Sequence, residues 1–246
     1  KVGRLNTAYK NSTNGYDVFK DGLGDYNSIM GAVEARGEIF NARESNSVAY
    51  ESPQFEGVSA AVSYGQRNEA GVLALDRQLW SVALKYENGP VTAVAAYEKH
   101  DDGFAAGVED DAWKVGASYL FGDTRIAAIY ERITLGDVFG ATGDTERDAW
   151  YVGITHRAGK VTLKAAYARA DDSENDLGSV HDGASQFTLG VDYGFSSRTT
   201  AYALYTFLDQ EALSSWYMGA SSTTHEDSSN PGTNPRGLSL GVKHSF

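Results

Sequence analysis

Alternation of apolar and polar side chains with period two runs through this chain almost from end to end. It limits the fold more than any other feature of the sequence. In 112–121, Trp113, Val115, Ala117, Tyr119 and Phe121 share one face, and Lys114, Gly116, Ser118 and Leu120 share the other. In 79–86, Trp80, Val82, Leu84 and Tyr86 oppose Leu79, Ser81, Ala83 and Lys85. In 186–195, Phe187, Leu189, Val191, Tyr193 and Phe195 oppose Gln186, Thr188, Gly190, Asp192 and Gly194. The same beat recurs at 57–64, 91–98, 124–132, 147–156, 160–168, 199–206 and 236–246. Period two is the signature of a strand with two unlike faces. No stretch approaches the ~18 consecutive apolar residues of a membrane helix.

The connections alternate as well. Short turns sit at 52–57, 87–90, 121–124, 157–160 and 194–199, and long polar loops at about 65–78, 99–111, 133–146, 169–185 and 207–235. The short turns recur every ~34–38 residues, one hairpin per period. Strand, tight turn, strand, long loop describes an up-and-down meander with one smooth and one ragged end, as in outer-membrane barrels. A soluble β-sandwich would turn the apolar face inward. The placement of the aromatics favours the barrel instead. Tyr50, Tyr64, Tyr86, Tyr97, Tyr119, Phe121, Tyr167, Tyr193 and Tyr202 lie near the ends of their apolar rows, where interface girdles belong. The expected fold is therefore all-β, a transmembrane antiparallel up-and-down β-barrel of which twelve strands are present. Ala117 then faces lipid and Ser118 faces water.

Composition removes most other chemistry. With no cysteine among 246 residues there is no disulfide framework, thiolate zinc site or cysteine nucleophile. A formal charge of −12 argues against nucleic acid as a partner. His100, His156, His181, His225 and His244 are scattered without metal-ligand spacing. No nucleophile elbow, phosphate-binding glycine loop or HExxH occurs. The acidic pairs Asp101–Asp102, Asp110–Asp111 and Asp171–Asp172 read as solvated loop faces, with divalent ions shared with lipopolysaccharide as the other possibility. No catalytic residue, metal or cofactor is expected.

Several segments resemble the general porins of beta-proteobacteria, trimeric sixteen-stranded diffusion channels. They are VGRLNTA (2–8), NSVAYESPQFEGVSAAVSYG (46–65), KYENGPVTAVAAYE (85–98), KVGASYLFGDTRIAAIYE (114–131), SSRTTAYALYTF (196–207) and GLSLGVKHSF (237–246). The final strand, 236–246, ends in Phe246 and resembles the closing strand of such barrels. The resemblance implies one porin domain over 1–246, a homotrimer, outer-membrane lipid and lipopolysaccharide as surroundings, and passive passage of small hydrophilic solutes. It also implies that twelve of sixteen strands are here, the first four and a signal peptide lying outside the sequence. A closed twelve-stranded barrel is the other arrangement.

The segment 9–42 has no strand pattern and is too long for an ordinary connection. The resemblance implies that it folds into the lumen as a constriction loop. It brings Asp21, Asp25, Glu34 and Glu38 opposite Arg4 and Arg43, with Lys85, Lys114, Lys164 and Lys243 lining the wall. An acidic loop facing a basic wall sets a field across the narrow zone and favours small polar solutes. A sugar- or organic-anion-selective channel is the first rival reading. Trp80, Trp113 and Trp150 fall on the outward parity, so a stacking path for sugar is left with Tyr151 and Tyr205 on the wall and Tyr9 and Tyr26 in the loop. A barrel enzyme and a plugged structural anchor complete the alternatives.

Overall fold

A computed structural model describes residues 1–32, 40–68, 76–102, 105–138, 140, 142–212, 214–219 and 231–246. Its strands are β1 (Val2–Asn6), β2 (Arg43–Glu51), β3 (Val58–Asn68), β4 (Asp76–Asn88), β5 (Val91–Asp101), β6 (Glu109–Phe121), β7 (Thr124–Leu135), β8 (Thr145–Ala158), β9 (Val161–Ala170), β10 (Glu174–Asn175), β11 (Gly178–Ser179), β12 (Ala184–Gly194), β13 (Thr199–Gln210) and β14 (Arg236–His244). All but β10 and β11 form one antiparallel path in chain order. β10 and β11 make a two-residue hairpin inside the expected loop 169–185 and touch β8 at Glu174↔Glu146. Apart from that hairpin the expected count of twelve strands stands.

Several strands run further than the alternation of apolar residues suggests. β6 begins at Glu109, β8 begins at Thr145, and β7 ends at Leu135. Above the apolar band the ladder is carried by charged side chains instead. Lys99 pairs with Glu109 at 2.9 Å and Arg132 with Glu146 at 3.3 Å. Cross-strand charge pairs keep a sheet together where hydrophobicity has ended. At the other end the strands turn back within two residues, and Gly122 supplies the positive φ (56°) that such a hairpin needs.

The sheet is inside-out relative to a soluble protein. Trp80, Val82, Leu84, Val115, Val152, Leu163, Leu189 and Leu240 are exposed, while Ser63, Ser81, Thr188 and Thr206 are buried. Aromatics bound the outer apolar band in two rows. The upper row pairs Tyr64 with Trp80 (ring centroids 4.6 Å), Trp113 with Tyr130 (5.2 Å) and Tyr130 with Trp150 (4.4 Å). The lower row includes Tyr86, Tyr119 and Tyr193. Trp80 to Tyr86, Trp113 to Tyr119 and Phe187 to Tyr193 are each six residues apart, about 20 Å of strand at ~3.4 Å per residue. That length matches an apolar band of ~25 Å once the ring widths are added.

The sheet curls around residues 8–32. Ser63 of β3 accepts from the Ala8 amide (2.9 Å), Ser81 of β4 from Tyr9 (2.7 Å), and Tyr151 of β8 from Val18 (3.0 Å). Gln186 of β12 donates to the Leu23 carbonyl (2.9 Å). One short segment therefore touches strands far apart in the sheet order, as a sheet curled into a barrel wall permits. The described residues of β1 and β14 are not paired with each other.

Two expected facings are corrected. Tyr205 points outward opposite Leu189 and Leu238, and Tyr202 points inward beside Lys243. Both faces of β13 are apolar, and the inner face takes Leu204 and Leu208 because the lumen segment covers it. Ser118 does face inward, but onto protein. It is buried and hydrogen-bonded to Thr92 (2.8 Å) and Arg125 (3.0 Å). A bulky residue there is no longer harmless. Ala117→Arg, on the outer face, is expected to destabilise the folded barrel by ~2–4 kcal/mol. Ser59→Glu, on the inner face opposite Lys85, is expected to stay within about 1 kcal/mol of the parent, the range of exposed charge pairs. Denaturant titration in detergent or lipid checks both, and equal costs would refute the assigned facing.

Candidate functional site

The segment enters the lumen through helix α1 (Ala8–Thr13), whose N-cap Thr7 accepts from the Lys10 amide at 3.1 Å. It then turns through Gly22 and Gly24 and a short 3₁₀ turn at Tyr26–Ser28. One side of it is apolar and docks on the wall. Tyr16, Phe19, Tyr26, Ile29 and Met30 pack with Ala127, Ala149, Ala166, Ala168, Ala170, Ala184, Leu204 and Leu208. Small wall residues make the room. A side chain at Gly190 would meet the Phe19 ring at 2.5 Å.

Polar anchors fix the register of this docking. Glu131 on β7 is fully buried. Its Oε2 accepts from the Tyr9 hydroxyl (2.8 Å), and its Oε1 accepts from the Gly31 amide (2.6 Å) and from Arg147 (3.4 Å). Arg147 on β8 donates its other arm to the Ile29 carbonyl at 3.0 Å. Lys114 donates to Asn41 at 2.8 Å and lies 3.8 Å from the Tyr9 ring centroid. These two strand residues, Glu131 and Arg147, thus hold the beginning and the end of the segment together. Neither Glu131 nor Arg147 is among the site residues expected from the sequence. The available signal was a charge between Ile129 and Ile133 on the inward parity, matched by a base on the next strand.

On the other side of the segment lies an open cleft of about 530 Å³ against β1 and β2. Arg4, Arg43, Asp21 and Asp25 all border it, together with Lys1, Lys10, Lys20 and Glu51. Arg43 donates to the Arg4 backbone carbonyl at 2.9 Å, and both residues border the cleft. Glu34 and Glu38 lie outside the described residues.

The expected acidic loop facing a basic wall takes a different form. Asp25 is buried and turned into its own loop, accepting from the amides of Asp21 (2.7 Å) and Asn27 (2.8 Å) and from the Asn27 side chain (2.6 Å). Glu51 is neutralised by Lys1 at 2.7 Å. Among the described cleft residues, Arg4, Lys20, Arg43 and Asp21 remain exposed and outside these pairings, three bases against one acid.

The four wall lysines separate into different roles. Lys114 is buried against the segment and does not line open water. Lys164 is paired with Asp192 at 2.7 Å, and Lys85 with Glu87 at 2.8 Å. Lys243 is exposed beside Tyr202, 5.4 Å from its ring centroid. The lumen aromatics Tyr9, Tyr16, Phe19, Tyr26, Phe40 and Tyr151 are all buried in the docking surface, so none of them offers a stacking face to a sugar.

Three comparisons with known proteins complete the description. The family model of Gram-negative porins matches residues 1–213. No curated protein matches the sequence. Among solved structures, the anion-selective porin of Comamonas acidovorans superposes with a TM-score of 0.76 at 22% identity, covering 100% of this chain and 73% of that one. OmpT, an outer membrane protein of Vibrio cholerae, gives 0.69 at 18%, covering 99% and 74%. Salmonella typhi OmpF in complex with daunomycin gives 0.60 at 14%, covering 98% and 73%.

One titration follows from the packing. Asp17 accepts from the Phe19 amide (2.9 Å) and the Tyr26 amide (3.2 Å), and burial with the nearby Asp25 carboxylate pushes its pKa up to about 7. The ordinary value is 3.8, so the folded state binds the extra proton between these limits. Its contribution to stability is full below the lower value and is lost as pH rises through about 7. Relative to Asp17→Asn, the parent is expected to lose thermal stability from pH 4 to pH 7 and then level off. A constant difference between the two proteins across that range would remove Asp17 as the titrating group.

Proposed function

The chain belongs to the Gram-negative porins, outer-membrane channels for passive diffusion, and from that membership we propose that solutes pass through the cleft bordered by Arg4, Arg43, Lys20 and Asp21. The family is one of channels, not of enzymes. What supports the cleft as the path is the two-sided character of the lumen segment. Its apolar side is fused to the wall by a dry core, and its polar side borders open space.

The sign of selectivity follows from which charges are free. Fixed charge acts over about 8 Å at physiological salt, so the total of −12 counts for little at the constriction. Among the described residues of the cleft, Asp25 and Glu51 are committed to partners, and three exposed bases face one exposed acid. The channel prefers small anions, weakly, and the preference declines as salt rises. The name of the Comamonas acidovorans neighbour, an anion-selective porin, accords with this reading.

Assembly and surroundings belong to the same proposal. The trimer form recorded for Vibrio cholerae OmpT supports a homotrimer. Lipid covers the apolar band, and the lipopolysaccharide head-group layer meets the outward charge pairs Lys99–Glu109, Arg132–Asp148 and Arg169–Asp171 above the upper aromatic row. In lipid an unpaired strand edge leaves backbone groups costing several kcal/mol each, so β1 and β14 require strand partners, from each other or from further strands of a sixteen-stranded ring.

The test is the double substitution Arg4→Ser with Arg43→Ser in planar bilayers under a salt gradient. The reversal potential is expected to move toward cations, and conductance to rise as the rim is trimmed. An unchanged reversal potential would take both arginines out of the solute path.

A further inference from the structure

The loop that follows β13 does not stay at the mouth of the barrel. Residues 214–219 descend into the lumen and join the same dry core as the segment. Trp216 is buried, packed in the cluster that contains Tyr26, Ile29 and Met30. Its indole N–H donates to the Asp182 carbonyl at 2.7 Å, and its backbone amide to the Gln210 side chain at 2.6 Å. The Arg147 guanidinium carbon lies 5.3 Å from its ring centroid. Three residues on, Gly219 and Ser28 exchange two contacts: the Gly219 amide donates to Ser28 Oγ (3.0 Å), and Ser28 Oγ sits 3.3 Å from the Gly219 carbonyl.

These contacts share one geometry. Arg147 holds the Ile29 carbonyl from the wall, and Trp216 covers Arg147 from the long-loop end. The limb Tyr26–Met30 is therefore gripped from the side by β8 and from above by the last loop. The cluster that receives the limb includes the small wall residues Ala149, Ala168, Ala170 and Ala184, beside Arg147.

We infer that Trp216 is a positioning residue for conduction: it wedges the limb Tyr26–Met30 against the alanine-lined wall, and so sets the bore of a cleft whose charges it does not touch. The inference rests on the reading that the Arg4–Arg43 cleft is the solute path. It adds that the bore depends on a side chain from the far end of the chain, on the opposite side of the segment. Without the wedge the limb is released, the lumen widens on the side away from the Arg4–Arg43 rim, and selectivity is diluted.

The experiment compares the parent channel with Trp216→Ala, Trp216→Phe and Ser28→Ala in planar bilayers, and in liposome swelling with neutral sugars of increasing size. Trp216→Ala is expected to raise single-channel conductance and open-channel noise, to admit larger sugars, and to move the reversal potential toward zero. Trp216→Phe keeps the ring over Arg147 and is expected to restore the parent conductance and size limit. Ser28→Ala removes the contacts with Gly219 and, within the limb's own turn, the hydrogen bond from Ser28 Oγ to the Asp25 carbonyl (3.0 Å), and is expected to raise noise with a smaller change in conductance. Parent values of conductance, noise and size limit in Trp216→Ala would overturn the proposal. If Trp216→Ala does not assemble, parent-like noise in Ser28→Ala overturns it. A failure of the cleft reading looks different: Arg4→Ser with Arg43→Ser leaves the reversal potential in place while Trp216→Ala still changes conductance.

Discussion

A carboxylate withdrawn from water holds the lumen in shape. Glu131 receives the Tyr9 hydroxyl, the Gly31 amide and Arg147, and so ties the first turn of the lumen segment to its last described turn and both to the wall. A buried pair of this kind gains little over an apolar replacement, yet removing one member strands the other at a cost of about 3–5 kcal/mol. The pair is best understood as a device of register. Apolar contacts alone, between aromatic rings and a row of alanines, admit many sliding arrangements. Hydrogen bonds to Tyr9, Gly31 and Ile29 admit one.

That register decides which charges reach water. Once the apolar side of the segment is docked, Asp17 and Asp25 fall on its inner turns and spend their oxygens on backbone amides. Lys20 and Asp21 fall on the open side. The charge that the cleft presents to water is thus a by-product of how the loop satisfies its own donors. Net charge and loop composition carry little information about it.

The alternation of residues made the strands legible, together with their facing and the two aromatic rows, because lipid on one side and water or packed protein on the other act on every second residue alike. It failed at β13, where the buried lumen face is as apolar as the lipid face and parity loses its meaning for Tyr202 and Tyr205. Strand ends were also hidden where charge pairs such as Lys99–Glu109 replaced apolar residues as the cross-strand contact. In the lumen, Arg4, Arg43, Asp21 and Asp25 could be placed at one cleft from the segment's length and its resemblance to porins. The burial of Lys114 and the clamp at Arg147 could not, since both depend on which face of an irregular segment meets which strand. Trp216 falls in the long polar loop 207–235, and such a loop carries no pattern that shows it folding inward.

The alanine wall has a consequence for how such a channel can change. The arginines that border the cleft stand on β1 and β2, in front of the segment, while Ala149, Ala168, Ala170 and Ala184 belong to the cluster in which its apolar side is packed. They act as shims. A methyl or two added behind the limb pushes it toward the cleft, at the ~1–3 kcal/mol that overpacking costs, without altering a single charge in the path. With the cleft as the proposed path, width and sign would be adjusted by separate sets of residues on different strands, and a lineage could retune one while the other stayed as it was.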